Sequence, residues 1–138
     1  MYLHFKRAVH ERRKLQALSM VDIRIMDGLV FEKYVAELLR NRGYTNIILT
    51  EKYDYGVDII AVKDGVRWGI QVKRYSKMVR AEAVRQVVTA LNHYKCQRSM
   101  VITNSTFSRP AQSLAASNDC ILVDGSILAE WIVRFQAA

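Results

Sequence analysis

Proline is almost missing from this 138-residue chain, with Pro110 alone, and there are only six glycines. That scarcity excludes collagen-like and low-complexity architectures. There are two cysteines, Cys96 and Cys120. They are too few and too far apart for a disulfide scaffold or a thiolate metal clip, so both read as reduced thiols of a cytoplasmic protein. The three histidines, His4, His10 and His93, show no ligand spacing. No apolar run is long enough to span a bilayer. The first twenty residues are crowded with charge and hold no apolar signal core. Acidic residues are the scarcer charge, 13 against 21 basic ones, which leaves a net +8. A small domain this basic suits a polyanionic partner, although positive charge also serves solubility alone.

What is present is an ordinary globular mixture, 51% hydrophobic, of a length that suits one domain. Residues Tyr2 to Arg24 are expected to be helical, with a loose apolar stripe between basic residues. Such a helix either packs on the core or a second subunit or lies as a basic arm on DNA, and the two are compatible. This N-terminal extension, 1–26, precedes a main body of 27–138. Asp27 suits an N-cap. Leu29 to Arg42 then predicts an amphipathic helix, with Phe31, Tyr34, Val35, Leu38 and Leu39 on one face. Strands are expected at Ile47–Thr50, Val57–Val62 and Val66–Val72. Asp64-Gly65 between the last two is a strong hairpin signal. Further along, the pattern predicts a helix over Val79–Tyr94, a strand over Met100–Thr103 and a helix over Pro110–Ala116. A strand at Ile121–Val123 and a helix over Ser126–Phe135 complete the chain. The order implies an α/β fold with a mixed central sheet, an antiparallel meander followed by helical crossovers, flanked by helices.

The hairpin carries the chemistry. With Asp64 and Gly65 as its loop, Lys63 opposes Val66 and Asp58 falls opposite Gln71. Alternation then turns Gln71 and Lys73 to the same face as Asp58. A carboxylate, an amide oxygen and an ammonium are gathered there. Phosphodiester hydrolysis needs such a set, because charge builds on the phosphate and the leaving oxygen. Mg²⁺ takes oxygen ligands and commonly one or two protein carboxylates. Asp58 and Gln71, with the backbone carbonyl of Val72, supply oxygens, and Lys73 can orient a water and stabilise developing charge. Gln71 and Lys73 could equally be polar residues on the solvated face of an edge strand. Against that, the strand core around Trp68 to Val72 is largely apolar, where a buried lysine needs an acidic partner or a phosphate.

Asp54-Tyr55-Gly56-Val57-Asp58 followed by Gln71-Val72-Lys73-Arg74-Tyr75 resembles the Mrr-type restriction endonucleases of the PD-(D/E)XK nuclease superfamily. Asp27-Gly28, Phe31-Glu32, Leu38-Leu39 and Gly43-Tyr44 are similar to the family's first helix and its exit. Thr103-Asn104, Phe107-Ser108, Ala111 and Leu122-Val123-Asp124-Gly125 are similar to its C-terminal half. The resemblance implies a restriction-endonuclease-like core and an endonuclease dependent on Mg²⁺, with Mn²⁺ as a substitute. Asp58 is then the metal-binding aspartate and Lys73 the motif lysine. Gln71 stands where most of the superfamily has glutamate, as in the Mrr-type variant, and removes one negative charge. Glu32 matches an acidic position that binds a water or a second metal, or it is a surface glutamate or a member of a structural salt bridge. Asp54 is either a loop residue near the metal or a turn former.

Arg74, Tyr75, Lys77 and Arg80 follow the third strand closely and suit phosphate contacts with DNA. Arg85 fits a solvated helix edge better, and Gln86 shares a helix side with Glu82, within reach of the site. Cutting two strands calls for two sites, so a homodimer is expected. A Holliday-junction resolvase and a DNA-binding module with a dead site are the rival readings of the same residues.

Overall fold

The computed structural model describes residues 2–50 and 55–138, and for residues 2–5 and 15 the backbone alone. The elements run α1 (Tyr2–Gln16), α2 (Met20–Ile25), α3 (Gly28–Asn41), β1 (Thr45–Leu49), β2 (Ile59–Lys63), β3 (Val66–Lys73) and α4 (Ala81–Ala90). They continue through β4 (Arg98–Thr103), α5 (Arg109–Ser117), β5 (Cys120–Val123) and α6 (Gly125–Ala137). The five strands lie side by side in sequence order. The β1–β2 and β2–β3 pairs are antiparallel, whereas β3–β4 and β4–β5 are parallel. The meander and the helical crossovers therefore meet at β3, the central strand.

Local chemistry explains several of the boundaries. Asp27 caps α3 by accepting the Val30 N–H at 2.9 Å. Ser108 caps α5 through the Ala111 N–H at 3.2 Å, and Pro110 sits in its first turn, where no amide is needed. Asp124 caps α6 through the Ile127 N–H at 3.0 Å. Asp64 and Gly65 both take positive φ, +52° and +77°, and close the β2–β3 hairpin with Lys63 opposite Val66.

The sheet separates two apolar layers. On one face α2, α3 and α6 pack Ile23, Phe31, Leu38, Leu39, Leu128 and Phe135 against Ile59, Ala61, Trp68, Ile70, Val72 and Ile102. On the other, α4 and α5 pack Val84, Val87, Ala111 and Ala115 against Val57, Ile60 and Val101. Each fully buried side chain of this size contributes about 1.5–3 kcal/mol. Strands covered on both faces read as near-continuous apolar runs, as β3 and β4 do. Gln71 breaks that run from within: it is only 3% exposed, and it lies on the α4 side.

Two expectations need correction. The single N-terminal helix is two, because Ser19 starts a new one. Its N–H and Oγ both donate to Asp22 Oδ2, at 2.8 and 2.9 Å, a reach-back three residues long that favours a helix start. The link between the two helices is fastened to α6, with Gln16 Nε2 donating to the Phe135 carbonyl and Gln136 Nε2 to the Leu18 carbonyl. Ile23 and Met26 belong to the α3/α6 core. The helix expected over Val79–Tyr94 is shorter at both ends. Val79 instead bridges Phe107, donating to the Thr106 carbonyl at 2.8 Å and accepting the Ser108 N–H at 2.9 Å. At the far end the backbone turns after Leu91, and Lys95 takes a φ of +57°.

Candidate active site

The regular β2–β3 ladder runs from Lys63–Val66 to Ile59–Ile70. One residue further, the strict Asp58–Gln71 opposition expected from the hairpin is not kept. The Asp58 N–H donates to the Ile70 carbonyl at 2.8 Å, one step out of register. The Asp58 backbone carbonyl is tied to the Thr50 N–H at 2.9 Å and to its hydroxyl at 3.2 Å. The Asp58 carboxylate bends over β3, where Oδ2 accepts the Val72 N–H at 2.7 Å. A side chain thus takes the place that a strand carbonyl would occupy, and the aspartate is held at the strand's end.

Gln71 is oriented by its donors. Nε2 donates to the Gly56 carbonyl and to Gln86 Oε1, each at 3.1 Å. A backbone carbonyl can only accept, so the nitrogen must face Gly56. The opposite atom, Gln71 Oε1, is buried and has no hydrogen-bond partner among the described residues. Gly56 comes this close because it has no side chain and a φ of +110°. A Cβ there would lie 2.7 Å from the Gln86 carbonyl oxygen.

Asp58, Gln71, Val72, Lys73, Glu32 and Gln86 line one cleft of about 430 Å³, together with Tyr55 and Gly56. The structure thus gathers Asp58, Gln71 and Lys73, and brings Glu32 from α3 into the same space. The Tyr55 ring packs edge-on against His93 at 4.5 Å, and its N–H meets the Tyr94 hydroxyl at 3.2 Å. Asp54 lies outside the described residues.

A second cleft of about 530 Å³ adjoins the first, sharing Lys73 and Gln86. Arg74, Tyr75, Lys77 and Arg80 all line it, with Glu82 at its edge. Its wall is pinned by two residues for which the sequence reading had no structural role. Asn104 Oδ1 accepts the Tyr75 N–H at 2.8 Å, and the Ser105 hydroxyl donates to the Lys77 carbonyl at 2.7 Å. Arg74 Nη1 donates to the Arg24 carbonyl at 3.2 Å, while its Nε is buried with no partner among the described residues. Arg85 is exposed and lines neither cleft. Helices α4, α5 and α6 each start beyond the carboxyl ends of β3, β4 and β5. Their N-terminal partial positive charges add to the lysines and arginines there.

Other chemistries find little support. Burial pushes the Cys96 thiol up, against the opposing pull of Arg67, and pushes Cys120 up against Ser99 and Arg98. Neither thiol is a ready nucleophile. Among the described residues no three His, Cys, Asp or Glu side chains cluster as a metal cage. The oxygen donors of the first cleft do fit a hard divalent cation. Asp58 brings charge, and the buried Gln71 Oε1 is an acceptor that lacks a donor. Mg²⁺ commonly takes one or two carboxylates and keeps several waters.

A family model described as restriction endonuclease, the Mrr catalytic domain, matches residues 23–132. The chain belongs to the Mrr-type restriction endonuclease family. The five-stranded mixed sheet flanked by helices is that family's restriction-endonuclease-like core. Among solved structures, the DNA modification-dependent restriction endonuclease AspBHI superposes with a TM-score of 0.67 at 16% identity, over 93% of this chain and 36% of its own. The MspJI restriction endonuclease, solved in complex with a 27-mer oligonucleotide, gives 0.62 at 23% identity, over 78% and 28%. A crystallised protein of unknown function gives 0.57 at 21% identity, over 69% and 56%. The chain therefore spans about a third of the two named endonucleases. No curated protein matches it. Among the described residues, no helix of this Mrr-type chain is long and apolar enough to cross a membrane.

Proposed function

We propose that this chain is a metal-dependent DNA endonuclease that hydrolyses phosphodiester bonds in the first cleft. The observation that carries the proposal is Gln71 Oε1, a buried acceptor without a donor among the described residues, on a side chain that lines one cleft with Asp58 and Lys73. Asp58 and Gln71, with Val72 beside them, would hold Mg²⁺ or Mn²⁺. Such a cation polarises the phosphoryl group and lowers the pKa of bound water. The protein's own groups do the remaining work. Asp58 is anchored by the Val72 N–H, so its carboxylate need not reorganise when substrate arrives. Lys73 orients the attacking water and offsets charge on the phosphate. Glu32, which lines the same cleft, holds a water there. Arg74, Lys77 and Arg80 neutralise flanking phosphates, which positions DNA without reading its bases. Cutting both strands then calls for a second copy of the chain.

The test is cleavage with Mg²⁺ or Mn²⁺ of linear duplex, methylated duplex and a four-way junction. Asp58→Ala and Lys73→Ala should each abolish cutting while leaving the fold intact. Symmetric nicks near the branch point would assign the chain to junction resolution instead. If nothing is cut in either metal while duplex binding persists, the chain is a binding module and the nuclease reading fails.

A further inference from the structure

We infer that Gln86 is a positioning residue for the cleft. It holds the Gln71 amide with Nε2 turned to Gly56 and Gln86, so that the buried Oε1 points away from both, beside the cleft, and Glu82 sets the direction of Gln86 in turn. This rests on the nuclease reading only where it gives the Oε1 a cation to bind. The hydrogen bonds form a chain with one polarity. Gln86 Nε2 donates to Glu82 Oε1 at 3.3 Å, which leaves Gln86 Oε1 turned inward. That oxygen accepts from Gln71 Nε2 at 3.1 Å, and the other Nε2 hydrogen goes to the Gly56 carbonyl at 3.1 Å. Both donors of the Gln71 amide are thereby used, and its oxygen has one direction left.

Glu82 and Gln86 lie one helical turn apart on α4, so they occupy one face. Glu82 is exposed, Gln86 half-buried and Gln71 buried. The chain therefore runs from solvent inward and ends at the cleft. Its outermost member can only accept, because a carboxylate has no hydrogen to give at neutral pH. This explains how the neutral Gln71 is accommodated. A carboxylate in its place would meet the Gly56 carbonyl and, unless Gln86 turned over, Gln86 Oε1 as well. Turning Gln86 over would set its oxygen against Glu82. The arrangement is thus matched to an amide, and a glutamate would need the chain reversed.

The reversal supplies the experiment. Mn²⁺ affinity without DNA is measured by titration calorimetry, and the Gln71 side-chain amide protons are followed by ¹⁵N NMR. Gln86→Leu should shift one of those protons upfield, as its hydrogen bond is lost. It should also weaken Mn²⁺ binding about tenfold, with helix content unchanged by circular dichroism. Glu82→Gln should change Mn²⁺ affinity less than about twofold in the native background, because the new amide still offers an oxygen. In the Gln71→Glu background the same Glu82→Gln change should improve Mn²⁺ affinity at least about threefold, since it can donate to a reversed Gln86. The inference is overturned if Gln86→Leu leaves the Gln71 amide protons in place. It is overturned equally if Glu82→Gln has the same effect in both backgrounds. Should Gln86→Leu not fold, the Gln71→Glu and Glu82→Gln cycle decides alone. A native chain that binds no Mn²⁺ would sink the metal reading above, while the amide protons would still decide the positioning role.

Discussion

Replacing Gly56 by alanine tests how closely the loop before β2 must approach α4. The added Cβ would sit 2.7 Å from the Gln86 carbonyl oxygen and 2.8 Å from its carbon, both backbone atoms that cannot swing away. Forcing such an overlap into packed surroundings costs about 1–3 kcal/mol. The φ of +110° adds its own penalty, since side chains rarely adopt it, and strain of that kind costs about 1–3 kcal/mol. The total, about 2–6 kcal/mol, is a large share of the 5–15 kcal/mol that a domain usually has. Gly65→Ala is the control. Its φ is +77°, yet nothing lies within 4 Å of the added carbon, so it should lose only about 1–2 kcal/mol. Urea unfolding of the three proteins gives the two losses, and their difference measures the close approach. A plasmid-nicking assay runs beside it, because the Gly56 carbonyl is one of the two acceptors that hold Gln71. The loop has a second way to respond, by moving off α4. Stability would then fall less and cutting would fall more. Gly56→Ala with stability within about 0.5 kcal/mol of native and undiminished cutting would refute the reasoning, since that is the ordinary scatter of surface changes.

Three further outcomes are expected. Asp58→Asn keeps an oxygen for the Val72 N–H, so thermal unfolding should show a loss under about 1 kcal/mol. Its metal-dependent cutting should nevertheless disappear; retained cutting would remove Asp58 from the site. Tyr34→Phe should raise stability by about 1 kcal/mol in urea titrations, since a buried hydroxyl left unpaired is costly. The Tyr34 hydroxyl is buried without a partner among the described residues, and burial, with Asp22 nearby, pushes its pKa up to about 12. A loss above 1 kcal/mol would mean that this hydroxyl is bonded. Arg80→Ala and Lys77→Ala should each reduce the salt slope of duplex binding by about 0.9, whatever the sequence bound. An unchanged slope for both would take the second cleft off the DNA path.

The fold was legible where one local signal decides an outcome. Asp64-Gly65 fixes a two-residue turn, and from it the β2–β3 register follows as far as Ile59 and Ile70. Asp27 marks a helix start because it can accept a free amide, and Pro110 marks another because a first helical turn needs no amide there. The shared face of Gln71 and Lys73 follows from strand alternation alone. What escaped the sequence depends on contacts far apart in the chain. The ladder breaks at Asp58 because its carboxylate competes for the Val72 N–H, and alternation has no term for a side chain that replaces a strand carbonyl. The break at Ser19 had a readable signal in Ser19 and Asp22, overridden by the longer apolar stripe. Nothing local announced that Gly56 must meet Gln86, or that Asn104 would hold Tyr75. Gln86 could be placed on the right side of its helix, but its partners could not be named.

One bond makes the site observable without substrate. The Val72 N–H is held by the Asp58 carboxylate at 2.7 Å, so its resonance follows the state of that carboxylate. A pH titration of this one amide peak reads the protonation of Asp58 directly. Its hydrogen-exchange rate reads how often the carboxylate lets go, set against the slow exchange of an interior strand. Adding a divalent cation to the free protein should move the same peak. The backbone of β3 therefore carries its own spectroscopic gauge of the site, usable on the free protein.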